Sequence, residues 1–227
     1  MNKIKQAIIG VLTIGGIILT GILIKQERPP VEPEPEKLRV VGIQPYGNIE
    51  NSLLDSIEAA LRRAYPCEFK RLEAKQIPEN ARTEAKGGRV RADTIIRLMK
   101  NQLPDGVDYV VGVVDEDICI DKKGKDGKVK EPVSKYTCWG IFGLGYVPGP
   151  SCIVSTVRPK EYCKSRKQFV ESMQKIAVHE LGHNFGLHHC SNADKCVMRD
   201  AAETIKTIRQ VGFELCENCQ SILKLPH

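Results

Sequence analysis

The sequence predicts one mixed α/β domain, of the α+β or α/β kind, over residues 38–227, set behind an apolar leader. Three observations predict it. After residue 38, apolar patterns of helical period alternate with short β-branched runs. A chain of 227 residues that is 41% hydrophobic and 27% charged has the composition of a folded protein long enough for one sizeable core. Ala7–Ile24 is an unbroken run of 18 uncharged, mostly apolar residues at the extreme end of the chain.

In chain order, the leader comes first. As a helix, Ala7–Ile24 would measure about 27 Å, close to the thickness of a bilayer's hydrocarbon core. It is longer than the apolar part of a cleaved signal peptide and lacks a small-residue cleavage site. Residues 1–24 are therefore expected to be a single transmembrane anchor, giving the chain a membrane as one partner. Residues 25–37 (KQERPPVEPEPEK) carry four prolines and read as a semi-rigid stalk of about 40 Å. A short basic tail followed at once by an apolar run resembles the start of a signal anchor, so the domain is expected outside the cytoplasm.

The domain opens with a strand at residues 38–43 and a helix from Ser52 to Ala64, where Leu53, Leu54, Ile57, Ala60 and Leu61 share a face. A short strand near residues 67–72 follows, then a helix between Arg91 and Leu103, stopped by Pro104 and Gly106. Residues 107–114 form a buried strand. Residues 121–135, with six lysines, two glycines and a proline, form a solvated loop. Two further strands are expected around residues 138–147 and 152–157, and a long helix from about Ser165 to Leu187. The net charge of +6, from 34 basic and 28 acidic residues, does not gather into one long basic run, so nucleic acid is not an expected partner.

Four of the five histidines fall in HELGHNFGLHH, residues 179–189, which contains HExxHxxGxxH. His179 and His183, four apart on a helix, aim their imidazoles at one metal ion. The third ligand needs a turn, which Gly186 supplies, and His189 then completes a three-histidine zinc site with one open position. Glu180 stands where it would take a proton from water at that position. Composition alone would produce the full motif about 2 × 10⁻⁵ times in this chain.

Nine cysteines are an odd number, so they cannot all pair within one chain. Cys190, Cys196, Cys216 and Cys219 form two local pairs of soft ligands, the pattern of a closed tetrahedral zinc site. Two disulfides, or a redox CxxC at Cys216 and Cys219, are the alternatives. Of the remaining cysteines, Cys119, Cys138, Cys152 and Cys163 would supply pairs on an oxidising side, with connectivity that spacing does not give.

Together, HExxHxxGxxHC, the CxM of Cys196–Met198 and a CxxC 17 residues later resemble the archaemetzincin family of zinc metalloproteases. Val114–Ile118 (VDEDI), Trp139–Gly143 (WGIFG) and Ile153–Arg158 (IVSTVR) look like segments of the same family, so the resemblance covers most of residues 40–222. The sequence departs from the family pattern twice. Five residues separate Cys190 and Cys196 where four are usual, which would admit Asp194 as a neighbour, and the lysine-rich loop looks like an insertion. The resemblance implies a metzincin-like fold, with a twisted mixed sheet above the active-site helix and a small C-terminal zinc-binding subdomain. It also implies that Met198 is the floor beneath the catalytic zinc, and that Trp139, Ile141, Phe142 and Gly143 form an upper edge strand against which a substrate peptide lies.

The expected activity is hydrolysis of peptide bonds in a peptide or protein substrate, with two zinc ions, one catalytic and one structural. Two other readings stand beside it: a non-catalytic peptide-binding module stabilised by zinc, and a zinc hydrolase of non-peptide amides. Glu180 separates the first of these from an enzyme, because a scaffold has no need of a carboxylate there.

Overall fold

The computed structural model describes residues 12–14, 17–19, 38–200 and 204–224. The chain divides between Lys37 and Leu38 into two units. In the first, β1 (Leu12–Ile14) and β2 (Ile17–Leu19) pair as antiparallel strands, Leu12 opposite Leu19. Between these two short strands stands Gly15-Gly16, a hairpin dipeptide. No helix among the described residues is long and apolar enough to cross a membrane, and most of the run Ala7–Ile24, expected to be a transmembrane anchor, lies outside the described residues. The stalk at 25–37 lies outside them as well.

The second unit is built on a five-stranded sheet. Its strands are β3 (Val40–Tyr46), β4 (Glu68–Arg71), β7 (Tyr109–Val114), β10 (Gly143–Gly145) and β11 (Ser151–Ser155), in the order β10-β11-β7-β3-β4. All neighbours are parallel except β10, which runs antiparallel to β11 at the edge. Alternation along the central strands divides the core in two. Val41, Ile43, Val111, Val113 and Val154 face α1 (Asn51–Ala64) and α5 (Arg166–Asn184), while Val40, Val110, Val114 and Ile153 face α2 (Ala92–Asn101). Helices thus cover both faces, as a largely parallel sheet requires.

A smaller sheet was not legible as such. Its strands β5 (Arg82–Thr83), β6 (Arg89–Arg91), β8 (Ile118–Ile120) and β9 (Trp139–Ile141) are two or three residues long, and they lie in the order β5-β6-β8-β9. A disulfide joins Cys119 in β8 to Cys138, just before β9, at the two ends of the lysine-rich loop. That loop ends in one turn of helix, α3 (Val133–Tyr136).

The strand expected over 138–147 is therefore two strands in two sheets. It breaks at Phe142, whose carbonyl accepts the Ser155 amide at 2.9 Å. The strand expected to reach 157 stops at Ser155 and gives way to α4 (Val157–Tyr162). After α5, the described residues form only the short α6 (Ile205–Gln210) and α7 (Glu217–Leu223).

Helix α5 is the structural centre, buried on most of its surface. Ser165 caps its start by accepting the Gln168 amide at 3.2 Å. Tyr65, at the end of α1, is 2% exposed, and its hydroxyl donates to the Val178 carbonyl at 2.7 Å. Tyr65→Phe is expected to lower stability by about 1 kcal/mol, the net worth of one such bond, measured by denaturant titration. An unchanged midpoint would show that α1 and α5 are held by packing alone.

Candidate metal centres

The end of α5 is set by a six-residue reversal. The amide of Leu187 donates to the Gly182 carbonyl at 3.0 Å and that of Gly186 to His183 at 2.9 Å, the double bond of a Schellman motif. Gly186 has φ +96°, a left-handed conformation that L side chains rarely adopt. The helix consequently ends at Asn184 rather than at Leu187, and the chain turns back toward its own last turn.

That reversal brings the three motif histidines together. Their candidate ligand atoms all lie within 4.8 Å of one another, and the ring centres of His179, His183 and His189 are 4.6 to 5.3 Å apart. Two of the rings are fixed by backbone. Nδ1 of His179 lies 2.8 Å from the Val197 carbonyl and Nδ1 of His183 lies 2.6 Å from the Leu187 carbonyl. A carbonyl only accepts, so each Nδ1 carries the hydrogen and each Nε2 keeps a lone pair for a metal. Burial pushes His179 down to about 4 and lowers His183 as well, so both rings are neutral at pH 7. Nδ1 of the more exposed His189 is 3.7 Å from the Asp200 carboxylate.

Glu180 is not part of this trio. Its side chain is buried against β10, where a Cβ placed on Gly143 would meet its Cγ and Oε1 at 2.7 Å. A Cβ on Gly145 would likewise meet the Glu180 carbonyl at 2.8 Å. The glycine face of β10 is thus the space that lets the edge strand lie directly on the helix. Burial pushes the Glu180 carboxyl up to about 8. Met198 is fully buried, and its sulfur, with the Tyr65 hydroxyl, fills the place a Cβ on Gly182 would take. Met198 therefore packs under the helix turn between His179 and His183.

The second cluster lies just beyond. Sγ of Cys190 is 3.6 Å from that of Cys216, and Sγ of Cys196 is 3.7 Å from that of Cys219, with all four sulfurs within 4.8 Å of one another. None of the four is disulfide-bonded. Four thiolates at zinc–sulfur distances of about 2.3 Å stand about 3.8 Å apart at the corners of a tetrahedron, so this donor set suits zinc. Asp194 is outside the cluster and pairs with Arg199.

A cleft of about 690 Å³ runs past the histidines between β10, α5 and α6. Ile141, Phe142 and Gly143 line it, as does His188. Trp139 does not: it belongs to the small sheet and stacks 5.5 Å from Tyr136 with Lys122 over its ring. Sequence reasoning missed Lys175, Arg158 and Tyr162 as cleft residues. Only Lys175 left a signal, standing four residues before His179 on the same helix face.

The profile of peptidase family M54 matches residues 125–225. The archaemetzincin of Haloquadratum walsbyi is 28% identical over 191 residues, covering 81% of this chain and 99% of that protein. The archaemetzincin of Nanoarchaeum equitans is 39% identical over 79 residues, 35% of this chain and 39% of its own length. Among solved structures, the archaemetzincin of Methanopyrus kandleri superposes with a TM-score of 0.64 at 21% identity, covering 84% of this chain and 97% of that one. That of Archaeoglobus fulgidus, complexed with malonate, gives 0.61 at 22% identity, covering 80% and 98%. With its histidine and cysteine clusters in place, the chain is a zinc metallopeptidase similar to the archaemetzincins.

Proposed function

We propose that this metallopeptidase cleaves peptide bonds with Glu180 as general base beside a zinc ion on His179, His183 and His189, and that Cys190, Cys196, Cys216 and Cys219 hold a second, structural zinc. The observation that carries the reading is the position of Glu180. A buried carboxyl next to three converging imidazoles, yet outside their set, has no hydrogen-bond or ion-pair partner among the described residues and costs stability.

Zinc on the three histidines would supply Lewis acidity, making water a nucleophile near neutral pH and polarising the scissile carbonyl. The chain's own groups do the rest. The Val197 and Leu187 carbonyls keep the first two imidazoles in the ligating tautomer. Glu180 takes the proton of the attacking water and returns it to the departing amine nitrogen. Its raised proton affinity follows from burial, and a nearby dication favours the ionised form a base requires. The free edge of β10 offers backbone groups to an extended peptide, which adds as a further strand, with Ile141 and Phe142 beside it.

The apolar run Ala7–Ile24 is read as holding the chain at a membrane, with the stalk as spacer and the domain facing an oxidising compartment. The Cys119–Cys138 disulfide supports that side, since such bonds persist where thiols are not kept reduced.

Glu180→Ala is expected to keep zinc and fold while peptide turnover falls by about 10²-fold to 10⁴-fold. Gly143→Ala, which pushes the Glu180 carboxylate aside without touching a ligand, is expected to cost about 10²-fold. Hydrolysis at the wild-type rate in either protein, with zinc retained, would remove Glu180 from the mechanism. Replacing Cys216 and Cys219 by Ser is expected to halve the zinc found by elemental analysis and to lower thermal stability; unchanged zinc would remove the four-cysteine assignment. Full-length chain is expected to sediment with membranes and to be clipped by protease added outside intact cells. Recovery in the soluble fraction would overturn the membrane assignment, and full protection would reverse the side.

A further inference from the structure

One cation on the cleft wall has no close counter-ion among the described residues. Lys175 lies one turn before His179 on α5, and both line the cleft. The residue is only 8% exposed. Its ammonium donates to the Arg209 carbonyl at 3.3 Å and stands 4.8 Å from the centre of the Phe213 ring. No carboxylate among the described residues lies within ion-pair distance of it, and Glu171, one turn earlier, acts on it only from a greater distance. The other guanidinium and ammonium groups of the wall differ. Arg158 is held bidentately by Asp117, Arg199 pairs with Asp194, and Lys206 is exposed to water.

A buried ammonium has three donors and a full charge, and one neutral carbonyl, one ring and a distant carboxylate leave two donors unanswered and the charge only partly offset. Burial also lowers the proton affinity of Lys175, so an incoming anion would restore what desolvation costs. The neighbouring wall is apolar, with Ile176, Ile208 and Val211, and low polarity strengthens a charge pair formed there. The four residues from Lys175 to His179 rise about 6 Å along the helix axis, which an extended peptide covers in about two residues.

We propose that Lys175 closes a side-chain subsite of the cleft that takes an acidic residue, aspartate or glutamate, within two positions of the scissile bond. The apolar wall receives the methylenes and the ammonium receives the carboxylate. This rests on the peptidase reading above and names the substrate class for that site.

The test uses zinc-loaded full-length chain and matched peptides that carry Glu or Gln at each of the two positions on either side of the scissile bond, all with amidated C-termini. Both kcat/KM and the affinity of each peptide, by calorimetry, are measured. Wild type is expected to prefer Glu over Gln by about tenfold at one position, mainly through KM and affinity. Lys175→Met is expected to abolish that preference by bringing the Glu peptide down to the level of the Gln peptide, Lys175→Arg to keep it, and Lys175→Glu to turn it toward a Lys-containing peptide. Equal loss on all peptides in Lys175→Met would mean that Lys175 only fastens α6, and would overturn the proposal. So would a wild type indifferent to Glu, or an acid preference seen only with a free C-terminal carboxylate. Glu-selective binding without cleavage would uphold the subsite and sink the peptidase mechanism instead.

Discussion

The chain reversal after α5 is the constraint on which the site depends. Gly186, in a conformation closed to other residues, lets the Leu187 amide reach back to Gly182. The same turn sets the Leu187 carbonyl against Nδ1 of His183 and directs His189 toward its two predecessors. One backbone motif therefore ends the helix, fixes a tautomer and delivers the third imidazole. Without it, His179 and His183 would share a helix face with nothing opposite them.

The two clusters are mechanically one. Cys190 follows His189 directly, and its amide donates to the Met198 carbonyl at 2.8 Å, while the Val197 amide is held by the Glu214 carbonyl at 3.0 Å. The carbonyl of Val197 is the group that orients His179. A zinc closing the four sulfurs would thus brace the loop that aims a ligand of the other centre. Met198 and Tyr65 press against Gly182 from below, so the floor under the histidines is packed rather than hollow. Above them, Gly143 and Gly145 let β10 lie on the helix and bring the sheet edge to Glu180.

What could be read from sequence followed the strength of local signals. The helix expected at Ser52–Ala64 is Asn51–Ala64, because five apolar residues repeat on one face. The histidine spacing and the two cysteine pairs specify their own proximity. Strands of two or three residues carry no period, so β5, β6 and β8 passed unseen, and the break at Phe142 depends on which of two sheets each half joins. For that reason Trp139 was grouped with Phe142 although the two belong to different surroundings. In the apolar run near the N-terminus, length and hydrophobicity suit a membrane span, while glycines and β-branched residues suit the short strand pair described at Leu12–Ile14 and Ile17–Leu19. The disulfide partner of Cys119 is fixed by the neighbouring β8 and β9, which no spacing rule contains.

Zinc K-edge X-ray absorption of the purified full-length protein tests the central claim most directly. Two environments are expected in equal amounts: one of nitrogen and oxygen at about 2.0–2.1 Å with imidazole scattering, the other of four sulfurs at about 2.3 Å. In His189→Ala the first should fade and the sulfur shell remain. A spectrum with sulfur alone, or one unaltered by His189→Ala, would contradict the assignment of the three histidines to a metal centre built by the turn at Gly186.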